Sequence, residues 1–195
     1  MLVLIKGAGD LATGTAVRLY RAGIKVVMTE VAQPTAVRRT VAFSQCMYDG
    51  AAQVEGISAR RAEDAGAARR ALERGEVPVL CDPEAAILRE LSFDGVVDAI
   101  LAKRNLGTAI TDAPVVLALG PGFTAGVDCH GVVETMRGHN LGRLLTQGSA
   151  APNTGVPGDV GGYTTQRIIR APADGAFEPL AAIGQRVEEG QPVAR

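Results

Sequence analysis

The chain has no tryptophan, and its four phenylalanines and three tyrosines bring aromatic content to only 4% of 195 residues. Such scarcity argues against recognition of single-stranded nucleic acid, which relies on bases stacking on aromatic rings. An excess of either charge is also missing: 20 basic and 21 acidic side chains give a formal net charge of -1. That balance supplies no global pull toward nucleic acid. The basic pairs Arg38-Arg39, Arg60-Arg61 and Arg69-Arg70 are isolated and read as solvated surface. The first pair also follows an expected strand, where a phosphate contact is open to it. No apolar run is long enough to span a bilayer, and the N-terminus has no secretory pattern. The three cysteines, Cys46, Cys81 and Cys129, fit neither a disulfide framework nor a zinc spacing. A reducing cytoplasm is the expected location, with no nucleic-acid and no membrane partner.

What is present begins at the first residues. Leu2-Val3-Leu4-Ile5 is a short apolar run, and Lys6-Gly7-Ala8-Gly9-Asp10-Leu11-Ala12-Thr13-Gly14 is a glycine turn leading into a helical pattern. Strand, glycine turn and helix in that order open many nucleotide-binding α/β domains. Gly7 would permit the sharp turn. Gly9 would let a phosphate approach the backbone, where helix amides and dipole favour negative charge. Ala12 is small enough for close packing of helix on strand. Lys25-Val26-Val27-Met28-Thr29-Glu30 reads as a second strand ending in an acid, about 20 residues on. A carboxylate there accepts hydrogen bonds from ribose hydroxyls and repels a 2′-phosphate. Asp10 cuts across this reading: it either caps the helix amides or helps hold a magnesium ion. A purely structural glycine turn stays open beside the nucleotide reading.

Alternation of strands and helices continues, which predicts a mostly parallel sheet. Helices are expected over 11–22, 63–74 and 84–91. Further strands are expected at 41–43, 54–57, 77–81, around 94–105 and at 115–119. The last of these meets Gly120-Pro121-Gly122-Phe123 at a carboxyl edge, where α/β proteins bind ligands, so Gly120 and Gly122 join the candidate cofactor site. Asp98 reads as a strand-end acid or a ligand contact, and Lys103, Arg104 and Asn105 together read as an anionic subsite or as solvated surface.

Residues 1–125 are therefore expected to form a Rossmann-like cofactor-binding domain. Residues 126–165 read as a β-hairpin with a glycine-rich connection. Residues 166–195 show tight glycine turns between short strands, similar to the first half of a biotinyl/lipoyl-type sandwich. Such a half leaves an unsatisfied edge, for another segment or for a second subunit in a homodimer. A natural continuation beyond residue 195 is expected on the same ground.

Both histidines fall within Asp128-Cys129-His130 and Glu134-Thr135-Met136-Arg137-Gly138-His139. Cys129, His130, Glu134 and His139 are the candidate catalytic residues: a thiolate can carry sulfur or selenium while an imidazole moves protons. Neighbours on a strand point to opposite faces, which weakens Cys129 and His130 as a pair. No standard metal spacing is present, and no metal site is expected. A structural role in orienting turns is the alternative for all four.

Taken with Pro152-Asn153-Thr154-Gly155-Val156-Pro157-Gly158, these motifs resemble the accessory protein family of the selenium-dependent molybdenum hydroxylase system. The resemblance runs over essentially the whole chain. More distantly the chain is similar to the Rossmann-containing chaperones that bind molybdenum cofactor. The resemblance implies a maturation role, a molybdopterin dinucleotide or related nucleotide as ligand, and a hydroxylase partner. Two other readings remain beside it: an NAD-dependent oxidoreductase without a recognisable hydride-transfer constellation, and a noncatalytic assembly protein.

Overall fold

Val3, Leu4 and Ile5 form an uninterrupted apolar run, which is stable as a strand when both of its faces are covered. In the computed structural model, which describes residues 1–156 and 158–195, that run lies near the centre of a nine-stranded sheet. Pro157, part of the late glycine motif, lies outside the described residues. Chain contacts divide the protein into two units, Met1–Thr154 and Gly155–Arg195.

The first unit runs β1 (Leu2–Lys6), α1 (Asp10–Arg21), β2 (Lys25–Glu30), α2 (Cys46–Asp49), β3 (Ala51–Val54), β4 (Ile57–Ala62), α3 (Ala65–Glu73) and β5 (Val77–Cys81). It continues through β6 (Gly95–Asp98), β7 (Val115–Leu119), β8 (Gly131–Val133) and β9 (Leu144–Leu145). The sheet order is β3-β4-β5-β2-β1-β6-β7-β8-β9. Pairings from β4 across to β8 are all parallel, and only the outermost strands, β3 and β9, run antiparallel to their neighbours. A mixed, mostly parallel α/β sheet of general Rossmann-like type is thus what the sequence encodes.

Side-chain alternation along the strands builds two cores. Val3, Ile5, Val26 and Met28 pack under α1 through Ala12, Ala16 and Val17. Leu4, Val27, Leu80, Val96 and Val116 face the other way, toward Ala65 and Ala68 of α3 and toward Phe93 and Phe123. Alanine on the buried helix faces lets both helices lie close to the sheet. Asp64 caps α3 by accepting the Ala67 N–H at 2.6 Å. At α1 the N-cap is Gly9, and no side chain caps it.

Several expected elements take another form for local reasons. Segment 41–43 is not a strand but part of two short 3-10 turns. Phe43 N–H donates to Thr13 Oγ1 and Ser44 N–H to the Ala8 carbonyl, which draws this segment onto the glycine corner. Residues 84–91 form only a 3-10 turn, Ala86–Arg89, because the Asp82 carboxylate takes the amides of Ala86 and Ile87 and Ala85 is left-handed at φ 52°. Residues 99–105 fold as a loop with Leu101 and Lys103 left-handed at φ 60° and 64°. The hairpin expected within 126–165 is realised by β8 and β9, which pair antiparallel and extend the sheet.

In the second unit the described residues hold isolated bridges, Val160 with Tyr163 and Pro179 with Ala194, and a 3-10 turn at Thr165–Arg167. Glu178 and Arg195 exchange both backbone bonds, at 2.8 and 2.9 Å. No strand of regular length forms among the described residues of this unit, so they do not build a sandwich by themselves.

Gly122 and Gly126 are both left-handed, but their surroundings differ. A Cβ on Gly122 would sit 2.6 Å from Arg104 N and Cα, whereas one on Gly126 meets nothing within 4 Å. Alanine at Gly126 is expected to cost about 1 kcal/mol for the backbone conformation alone. Gly122→Ala should cost at least about 2 kcal/mol more, because loop backbone must move. Urea unfolding of the two variants measures the difference.

Candidate functional site

Strand order reverses between β1 and β6: β1 leads through α1 to β2 on one side, while β6 leads to β7 on the other. Crevices at the carboxyl ends of strands flanking such a reversal are the usual ligand sites of open α/β sheets. Here the crevice holds a cleft of about 360 Å³, bounded by Gly7, Gly9, Asp10, Glu30, Thr35 and Leu101 among others.

Each wall follows from local chemistry. Gly7 turns the chain at φ 92°, and a Cβ there would sit 3.0 Å from Ala99 O and Ile100 Cα. Only glycine lets β1 turn this close over the end of β6. Gly9 opens α1, and a Cβ on it meets nothing within 4 Å, so its surface is free. Ala12 is fully buried against the sheet. Glu30 Oε2 accepts the Ala8 N–H at 2.9 Å, while its Oε1 accepts the Val31 N–H at 2.8 Å. The carboxylate is thereby fixed at the cleft with lone pairs to spare. Asp10 is paired with Arg38 and lies at the helix start, where a carboxylate complements the dipole.

Beneath the corner lies a polar cluster whose members the sequence did not assemble. Lys6 and Asp98 end β1 and β6 in register, and Thr108 lies between them. Lys6 Nζ donates to Thr108 Oγ1 at 2.6 Å, and that hydroxyl donates to Asp98 Oδ2 at 2.6 Å. All three residues are buried. Asn105 secures the same loop by accepting the Gly107 and Thr108 amides and donating to the Thr108 carbonyl. A signal was present: Lys6 and Asp98 are charged residues at the ends of apolar strands.

The other candidates lie elsewhere. Gly120 and Gly122 follow β7 and do not border the cleft; they admit Thr135, Leu101 and the backbone of residues 103–104. Cys129 is fully buried with Phe123 and Val132, and burial, then the nearby Asp128 and Asp98 carboxylates, hold its thiol above the ordinary range. His130 is exposed and accepts the Val116 N–H on Nδ1 at 3.0 Å, while its own N–H bonds the Val116 carbonyl. Its imidazole therefore prolongs the β7 ladder. His139 lies exposed in the turn before β9. Among the described residues no hydrogen bond or ion pair joins any two of Cys129, His130, Glu134 and His139, and no group of three or more His, Cys, Asp and Glu is gathered for a metal. A separate groove of about 460 Å³ within the second unit is lined by apolar residues including Ile169, Pro172, Phe177 and Val193.

Over 193 residues the chain is 54% identical to the uncharacterized protein YqeB of Escherichia coli (strain K12), a match covering 99% of the chain. Over that length the chain is a relative of YqeB. It spans 36% of the length of YqeB itself. No family profile matches this YqeB relative, and no solved structure does. Among its described residues no helix is long and apolar enough to cross a membrane.

Glu134 is the buried acid of the late region. Its oxygens accept the Ala151 N–H at 2.8 Å and the Met136 N–H at 2.7 Å, and these bonds hold its carboxyl below the usual carboxylate range. Because the folded value lies below the unfolded one, the stabilisation is complete above the ordinary carboxylate range and is lost as pH falls through the folded value. Glu134→Gln is expected to cost about 1–3 kcal/mol at pH 7, since one amide then faces an amide group. That deficit should shrink toward about pH 3, as urea unfolding of both proteins at the two pH values will show.

Proposed function

We propose that the first unit binds a ribonucleotide diphosphate group at the β1–β6 crevice, and that this serves maturation of a selenium-dependent molybdenum hydroxylase. The observation that carries the ligand reading is the open, side-chain-free start of α1 at Gly9, facing a cleft that Glu30 borders. Unpaired helix amides suit phosphate oxygens, and a fixed carboxylate suits ribose hydroxyls. The residues present fit the nucleotide end of a molybdopterin dinucleotide, which the family resemblance implies. Gly7 and Gly9 would give the diphosphate room, Ala12 would keep the helix close, and Glu30 would hold the ribose. When bound, such a cofactor supplies the metal centre that the hydroxylase uses. Assistance to sulfur or selenium insertion belongs to the same reading, with Cys129 reaching it only after the region around it opens, because its thiol is buried. Asp10 is engaged by Arg38, so a magnesium ion there would have to displace a guanidinium. The ligand reading therefore rests on the nucleotide alone.

Isothermal titration of the purified chain with ADP tests the cleft directly. Saturable binding is expected, weakened at least tenfold by Gly9→Asp, which places charge and bulk at the helix start without touching packed atoms. Absence of binding to the wild-type chain would end the nucleotide reading. The maturation role is tested by co-expression with the hydroxylase, where Gly9→Asp should lower the fraction of active enzyme.

A further inference from the structure

Two cations on the loop after β6 have no structural employment. Lys103 and Arg104 are exposed, and neither makes an ion pair or side-chain hydrogen bond among the described residues. The acids that touch this loop are otherwise engaged: Asp98 accepts the Ile100 N–H at 3.2 Å and the Thr108 hydroxyl at 2.6 Å, and Asp128, 3.5 Å from Asn105 Nδ2, accepts the Thr124 amide at 2.7 Å.

The loop that carries them is held firmly. Its foot is bound by the buried Lys6–Thr108–Asp98 chain and by the Asn105 turn. Its middle rests on Gly122, where even a methyl group would collide with Arg104 backbone. Leu101 and Lys103 are left-handed without being glycine, a conformation that persists only where surroundings impose it. The same loop begins by lining the cleft with Ala99, Ile100 and Leu101.

Strand order gives the direction. Glu30 ends β2, the glycine corner follows β1, and Lys103 and Arg104 lie beyond β6, beside the end of β7 at Gly122. Neighbouring strands are about 4.8 Å apart, so the backbone of residues 103–104, which does not line the cleft, lies across the glycine corner from Glu30, within reach of long side chains. We propose that Lys103 and Arg104 form a second anion subsite, which favours a dinucleotide that carries negative charge on the half beyond its diphosphate. This rests on the nucleotide reading above and adds to it the charge of the ligand's other half.

The test compares two dinucleotides of nearly equal shape. Nicotinic acid adenine dinucleotide carries a carboxylate where NAD carries an uncharged amide, and ADP lacks that half altogether. Isothermal titration of the full chain at low ionic strength should find the acid binding about tenfold tighter than the amide. The double variant Lys103→Ala/Arg104→Ala should abolish that preference and leave ADP affinity within about twofold. Raising the salt should shrink the wild-type preference, as expected for exposed charges. ADP binding with no preference for the acid, or a preference that survives in the double variant, overturns the subsite while leaving the nucleotide reading intact. No binding of ADP overturns both. Both side chains are exposed, so the double variant should keep the wild-type unfolding curve, which is measured in parallel.

Discussion

A hydroxyl group placed between two buried charges holds the carboxyl edge of the central strands in shape. Lys6 and Asp98 end adjacent parallel strands, and each would pay heavily for leaving water without a partner. Thr108 answers both, accepting from the ammonium and donating to the carboxylate. Removing one member of such a buried set typically costs about 3–5 kcal/mol, far more than an exposed ion pair contributes. The chain of three also ties a distant loop to the sheet, since Thr108 reaches back about a hundred residues to Lys6. The glycine corner that follows Lys6 is therefore not positioned by its own sequence alone. Gly7 is pressed over Ala99 and Ile100, at the start of the segment that Thr108 anchors. Corner and loop are two sides of one fixture.

Local chemistry made the opening segment, residues 1–30, readable. Apolar runs, a glycine turn and an alanine-rich helical pattern mark out β1, α1 and β2 in the local sequence, and the acid ending β2 falls beside the corner as spacing predicts. Reading weakened where tertiary bonds overrode propensity. Segment 41–43 has strand-forming residues, yet the Phe43 amide is taken by Thr13 of α1 and the next amide, Ser44, by the Ala8 carbonyl at the corner. Asp82 likewise converts an apparent helix into a single turn. Residues 99–108 show no period at all, because their conformation is set by Gly122 and Thr108, contacts that sequence spacing does not reveal.

The candidate site divides in the same way. Gly7, Gly9, Asp10, Ala12 and Glu30 come together because one supersecondary unit carries all of them. Gly120 and Gly122 support the loop beside it. Cys129, His130, Glu134 and His139 are close in sequence but spread over a buried thiol, a ladder-extending imidazole, an amide-bound carboxylate and an exposed turn. Chemically versatile residues in a short stretch attract attention for what they can do. Here Glu134 and His130 are occupied in completing backbone hydrogen bonds at the end of the sheet.

The outermost strands have a consequence for self-association. A long parallel sheet with bare margins would offer rows of unpaired amides and carbonyls to any neighbouring chain. This one ends on one side in a reversed strand of two residues and on the other in a reversed strand of four. Beside the latter, Cys46 and Met47 pack into the same core as Val54. Reversal and brevity leave little template for fibre-like growth, so a sheet with a cleft at its middle is blunted at its margins.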